Sequence, residues 1–123
     1  MHHFLDALEL MKALTPAQPV TLDRPLAATR AAKFFVDRFP GKSLYAVKAN
    51  PSPDLLRVLW AAGITHYDVA SIAEVRLVAE TLPEATLCFM HPVKTPEAIA
   101  EAYHTFGVRV FSLDCREELD KIV

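Results

Sequence analysis

From residue 27 onward the sequence repeats one pattern: an amphipathic helical stretch, a break, then a short continuous apolar run. Ala27 to Phe39 is rich in helix formers and sets Ala31, Phe34, Phe35 and Phe39 on one stripe. Gly41 breaks it, and Leu44-Tyr45-Ala46-Val47 reads as a short buried strand. Ser52-Pro53-Asp54 opens the next helix, with serine at the cap and proline just inside, where its missing N–H is harmless. That helix carries Leu55, Leu56, Leu59 and Trp60 and stops at Gly63. The cycle then repeats. Thr65 to Val69 is a strand, and Ser71-Ile72-Ala73-Glu74 is a capping box opening a helix to about Leu82. Thr86 to Met90 is a third strand, followed by a helix from Thr95-Pro96-Glu97 to Phe106 and Gly107. Val108 to Leu113 is a fourth strand, and Asp114-Cys115-Arg116-Glu117 reads as another capping box.

Continuous apolar strands alternating with amphipathic helices imply a parallel sheet covered by helices, the α/β class. The unit length suits a (β/α) barrel or a doubly wound sheet, and periodicity alone does not choose between them. Four units are too few to close an eight-stranded barrel. Either the sheet is open or the chain is half of something larger. Residues 1–26 differ: Pro16, Pro19 and Pro25 interrupt them and only Phe4 to Leu14 looks helical. They read as an N-terminal arm ahead of a domain spanning 27–123.

Several function classes are excluded by composition. A net charge of -2 gives no basic surface for nucleic acid. The longest apolar stretches are about five residues, too short for a helix to span a bilayer. The N-terminal Met1-His2-His3-Phe4-Leu5-Asp6 lacks the basic and apolar blocks of a secretion signal. Cys88 and Cys115 fit no paired metal spacing and read as reduced thiols of a cytoplasmic protein, with no metal expected.

In either architecture ligands gather at the C-terminal ends of the strands. Those ends supply Lys48 and Asn50, then Asp68, Ala70 and Ser71, then His91 and Lys94, then Asp114. Ser71 and Asp114 are explained as helix caps. Lys48 stands out because it closes an apolar strand with no acid beside it in sequence. A free lysine is neutral in only about one molecule in 2,500 at pH 7. Desolvation or a neighbouring cation raises that fraction and makes the amine nucleophilic enough for a Schiff base. Position alone favours the plainer reading, a lysine snorkelling at the rim.

The sequence around Lys48 carries more. Leu44-Tyr45-Ala46-Val47-Lys48-Ala49-Asn50-Pro51 resembles the cofactor-lysine motif of the fold-type III pyridoxal-phosphate enzymes. Tyr67-Asp68-Val69-Ala70-Ser71, with Glu74, resembles the family's second signature. His91-Pro92-Val93-Lys94 resembles an element of the ornithine/lysine decarboxylase branch, and Gly107 to Asp114 with Glu117-Glu118-Leu119 resembles its next strand and helix. The resemblance runs in order from about residue 28 to Val123.

It implies the first four or so β/α units of an alanine-racemase-like (β/α)8 TIM barrel. It implies pyridoxal 5'-phosphate held by Lys48, Asp68 beside the lysine and cofactor, and Glu74 lining the same site. The implied reaction is decarboxylation of a basic amino acid, ornithine or lysine, to a diamine in polyamine biosynthesis, in a parent that is a cytoplasmic homodimer. His91 and Lys94 receive no chemical step. A diaminopimelate decarboxylase and a non-catalytic, cofactor-binding or regulatory relative remain as alternatives. The family's glycine-rich phosphate loop is absent, since three isolated glycines cannot build one. The chain is therefore expected to be an N-terminal portion, inefficient by itself.

Overall fold

The junction between the third helix and the second strand shows how the repeat is punctuated. Gly63 sits at φ 104°, the left-handed region that favours glycine, and ends the third helix. Its N–H reaches the Trp60 carbonyl at 2.9 Å, and the Ile64 N–H reaches that of Leu59 at 3.1 Å. That is a Schellman closure, and it turns the chain straight into the next strand.

The computed structural model describes residues 3–123; the reading of the N-terminus also rests on Met1 and His2, which lie outside them. The elements are α1 (Ala7–Leu14), α2 (Pro25–Arg38), β1 (Leu44–Ala46), a 3-10 turn (Val47–Ala49), α3 (Pro53–Ala61), β2 (His66–Val69), α4 (Ile72–Thr81), β3 (Thr86–Phe89), α5 (Pro96–His104), β4 (Val110–Phe111) and α6 (Arg116–Ile122). The strands form one sheet in the order β1-β2-β3-β4, every pair parallel. Helices α2 to α6 pack side by side in the same order.

Strand residues alternate between the two faces. Tyr67, Val69, Leu87 and Phe89 point into the helices, where they join Val47, Leu56, Leu59, Val75, Val78 and Ala102 in the core. The opposite, open face carries Ala46, Asp68, Cys88 and Val110 in one register layer. Leu44 and Val110 on that face remain 39% and 46% exposed. A doubly wound sheet needs helices on both faces and a reversal of strand order. Sequential order with helices on one face is the winding of a (β/α) barrel, and it decides the choice that periodicity left open.

Some expectations are corrected. The apolar run at Val47 is not strand: β1 stops at Ala46 and the chain tightens into the 3-10 turn. The fourth strand shortens to Val110–Phe111, because it pairs on one side only. Cys115, not Asp114, caps α6, and no side chain completes a capping box there. The α2 stripe is uncovered: only Ala32 is buried in that helix, and Phe34, Phe35 and Phe39 are exposed.

Two buried polar anchors hold the layers together. The Tyr67 hydroxyl, fully buried, lies 3.2 Å from both the Leu56 and Ile64 carbonyls. Burial first, and then Tyr45, push its pKa up to about 12. The second anchor is Lys94, whose side chain is wholly buried. Its Nζ donates to the His91 carbonyl at 2.9 Å and the Ser112 carbonyl at 2.6 Å, and pairs with Glu118 Oε1 at 2.8 Å. Three donors meet three acceptors, which is what a buried ammonium requires. Glu118 also accepts the Lys94 backbone N–H at 3.1 Å and pairs through Oε2 with Lys121. Lys121 in turn donates to the Lys94 carbonyl at 2.7 Å. The cluster ties the segment after β3 to the end of β4 and to α6.

Removing the Tyr67 hydroxyl (Tyr67→Phe) is expected to lower stability by about 1 kcal/mol, as read by urea unfolding, because a fully made buried hydrogen bond is lost. Lys121, and then Lys94, hold the Glu118 carboxyl down at about 2 against an ordinary 4.5. A depressed folded pKa stabilises the fold above the unfolded value and is lost as pH falls through the folded one. Stability should therefore drop as pH falls from 4.5 towards about 2. Glu118→Gln should be less stable at neutral pH and flatten that acid limb. Unfolding midpoints at a series of pH values check both.

Candidate functional site

Every helix from α3 to α6 begins just after a strand ends, so the polar residues read from sequence gather on one rim of the sheet. The N-terminal ends of those helices face the same rim, and their partial positive charge suits an anionic group.

Lys48 is carried by the 3-10 turn that leaves β1, and it is exposed. Among the described residues, no side chain or carbonyl hydrogen-bonds or pairs with its amine. The turn itself is well held. Asn50 at its end receives the Tyr45 hydroxyl on its carbonyl at 3.1 Å. The Asn50 Oδ1 accepts the Ser52 N–H at 3.0 Å, so asparagine rather than serine organises the start of α3.

Asp68 lies near the end of β2, opposite Ala46 on one side and Cys88 on the other. Its side chain points to the open face and, among the described residues, has no hydrogen-bond partner. Its charge is felt next door. Burial, and then Asp68, push the Cys88 thiol above its ordinary pKa, keeping it protonated. Cys88 is buried on the open face, a residue that the sequence reading passed over. Parallel register with Asp68 would have placed it there.

Glu74 does the capping work. Ser71 Oγ accepts the Glu74 N–H at 3.2 Å, and Glu74 Oε2 accepts the Ala70 N–H at 2.8 Å. The capping box read from sequence is therefore formed, with the carboxylate reaching one residue further back than usual. One carboxylate oxygen is used in this way; the other has no partner among the described residues.

His91 is exposed and turned back on its own loop, its Nδ1 accepting the Val93 N–H at 3.1 Å. Lys94 lies beneath the rim in the buried cluster and takes no part in an open site. Among the described residues no group of histidine, cysteine or carboxylate side chains could hold a metal ion.

Lys48 in the turn after β1 and Asp68 on the open face, neither side chain with a partner among the described residues, are the kinds of group that a carbonyl cofactor can bond and orient against. Glu74 contributes its free oxygen at most.

Comparison with known proteins identifies the family. The family described as "Pyridoxal-dependent decarboxylase, pyridoxal binding domain" matches residues 27–123. A lysine/ornithine decarboxylase from Selenomonas ruminantium is 35% identical over 79 residues, 63% of this chain and 20% of that protein. A probable ornithine decarboxylase from Dictyostelium discoideum is 37% identical over 82 residues, 66% of this chain and 17% of that protein. The crystal structure of lysine decarboxylase from Selenomonas ruminantium superposes with a TM-score of 0.80 at 27% identity, covering 99% of this chain and 32% of that one. The chain thus spans about a fifth of the length of the curated relatives it matches. With the family matched over most of the sequence and the fold shared with a solved decarboxylase, the chain belongs to the pyridoxal-dependent decarboxylases, in their pyridoxal binding domain.

Proposed function

We propose that this chain forms the cofactor-lysine wall of a pyridoxal-phosphate-dependent decarboxylase acting on a basic amino acid, ornithine or lysine, to give a diamine. The observation that carries the proposal is Lys48, an unpartnered amine at the end of β1 beside the Asp68 layer. Residues 27–123 would be the first part of the barrel, and residues 1–26 the arm leading into it. Polyamine biosynthesis, a homodimeric parent and a cytoplasmic setting complete the reading by likeness to the family.

The bound cofactor supplies an electron sink for the pair left on the α-carbon when carbon dioxide departs. The chain's own residues do the rest. Lys48 would hold the cofactor through its Nζ, and its amine, when free, would be able to carry a proton. Asp68 places a fixed negative charge on the face below. That charge would favour a positively charged group of the cofactor placed near it. Glu74, by fixing the Ala70 N–H, holds the loop after β2 in place, so that Asp68 and Ser71 keep their spacing.

The test uses the full-length protein loaded with pyridoxal phosphate, reduced with borohydride and mapped by peptide mass. The expected result is a label on Lys48, together with carbon dioxide release from ornithine or lysine. Lys48→Ala should lose the label and at least about a hundredfold in turnover, since proton transfer alone accounts for that much. A label elsewhere, or none, would overturn the assignment.

A further inference from the structure

The turn that carries Lys48 is held by Tyr45, whose ring packs on a separately anchored Tyr67. Tyr67 is anchored by its hydroxyl to the Leu56 and Ile64 carbonyls. The Tyr45 ring meets the Tyr67 ring edge-on, at a centroid distance of 6.3 Å and 76° between planes. The Tyr45 hydroxyl then donates to the Asn50 carbonyl at 3.1 Å. This last bond closes a ring of chain around residues 46–49, with Lys48 inside it. Strand pairing at Ala46 fixes the near end of that ring, and the Asn50 side chain on the Ser52 N–H fixes the far end.

A 3-10 turn has weaker internal hydrogen bonds than an α-helix and needs outside support to hold one shape. Here Tyr45 supplies that support from the helix side of the sheet, so it touches neither the open face nor the rim where the amine stands. We propose that Tyr45 is a positioning residue for Lys48, its hydroxyl setting the direction in which the amine leaves β1. The inference rests on the reading of Lys48 as the cofactor lysine. It assigns to the tyrosine of the Leu-Tyr-Ala-Val-Lys stretch a task distinct from packing.

Tyr45→Phe deletes one oxygen and keeps the ring contact with Tyr67. In the full-length protein it should slow borohydride-trappable attachment of pyridoxal phosphate to Lys48 by about fivefold, the order of one hydrogen bond. It should also move the pH midpoint of the cofactor's visible absorbance. Tyr67→Phe is the control: it removes a buried hydroxyl that does not touch the turn. It should lower the unfolding midpoint and leave both the trapping rate and the pH midpoint as in the parent. An unchanged rate and midpoint in Tyr45→Phe overturn the proposal, as does an equal shift in Tyr67→Phe, which would mean general loosening. Failure to label Lys48 in the unsubstituted protein overturns the functional reading instead, so the two failures are distinguishable.

Discussion

Parallel strands cannot be joined by a tight turn; each must be followed by a stretch of chain that returns over the sheet before the next begins. In this protein the return is always a helix, and always on the same face. That constraint sorts the side chains into two populations. Tyr67, Val69, Leu87 and Phe89 are committed to the helix side and to burial. Ala46, Asp68, Cys88 and Val110 are left in a layer that the helices never reach. It also puts every strand's C-terminal end beside the start of a helix, which is why the chemistry-bearing residues share one rim.

The rim is supported from below by groups that look reactive in sequence and are structural in fact. Lys94 was singled out with His91 as part of a decarboxylase-like element, yet its ammonium is spent on two carbonyls and a carboxylate. Charges taken out of water are costly unless fully paired, and breaking such a pair costs more than making it gains. The cluster therefore acts less as a source of stability than as a specification. The loop after β3, the end of β4 and helix α6 fit together in one arrangement that leaves no charge orphaned. Lys48 shows the opposite condition, an exposed amine with no partner among the described residues.

The strand–helix alternation, the parallel sheet and the positions of Lys48, Asp68 and Glu74 were legible because each rests on local signals. A proline at N1, a serine or threonine cap and a glycine at C′ act within a few residues. What was not legible depends on neighbours distant in sequence. Val47 has the composition of a strand residue, but strand pairing ends one residue earlier and the chain tightens instead. The α2 stripe has helical spacing, yet spacing says nothing of whether a partner surface exists, and Phe34, Phe35 and Phe39 stand exposed. Two of the three partners of the Lys94 ammonium lie 18 and 24 residues further on, out of reach of any motif. Cys88 became visible only through its register with Asp68.

Sequential strand order has a consequence for how such a chain comes into being. Strands contact the strand before them and helices the helix before them, so most of the fold need not wait for a distant segment to arrive. Loop-closure entropy is paid in small, equal steps, and domains emerging from a ribosome N-terminus first can organise as they appear. When Arg116 leaves the exit tunnel, strands β1 to β4 and helices α2 to α5 have already been made. The acceptor carbonyls at His91 and Ser112 are then in place for Lys94, and only Glu118 and Lys121 remain to lock it. A synthesis direction and a spatial direction coincide, and the Lys94–Glu118 pair joins the loop after β3 to a helix made later.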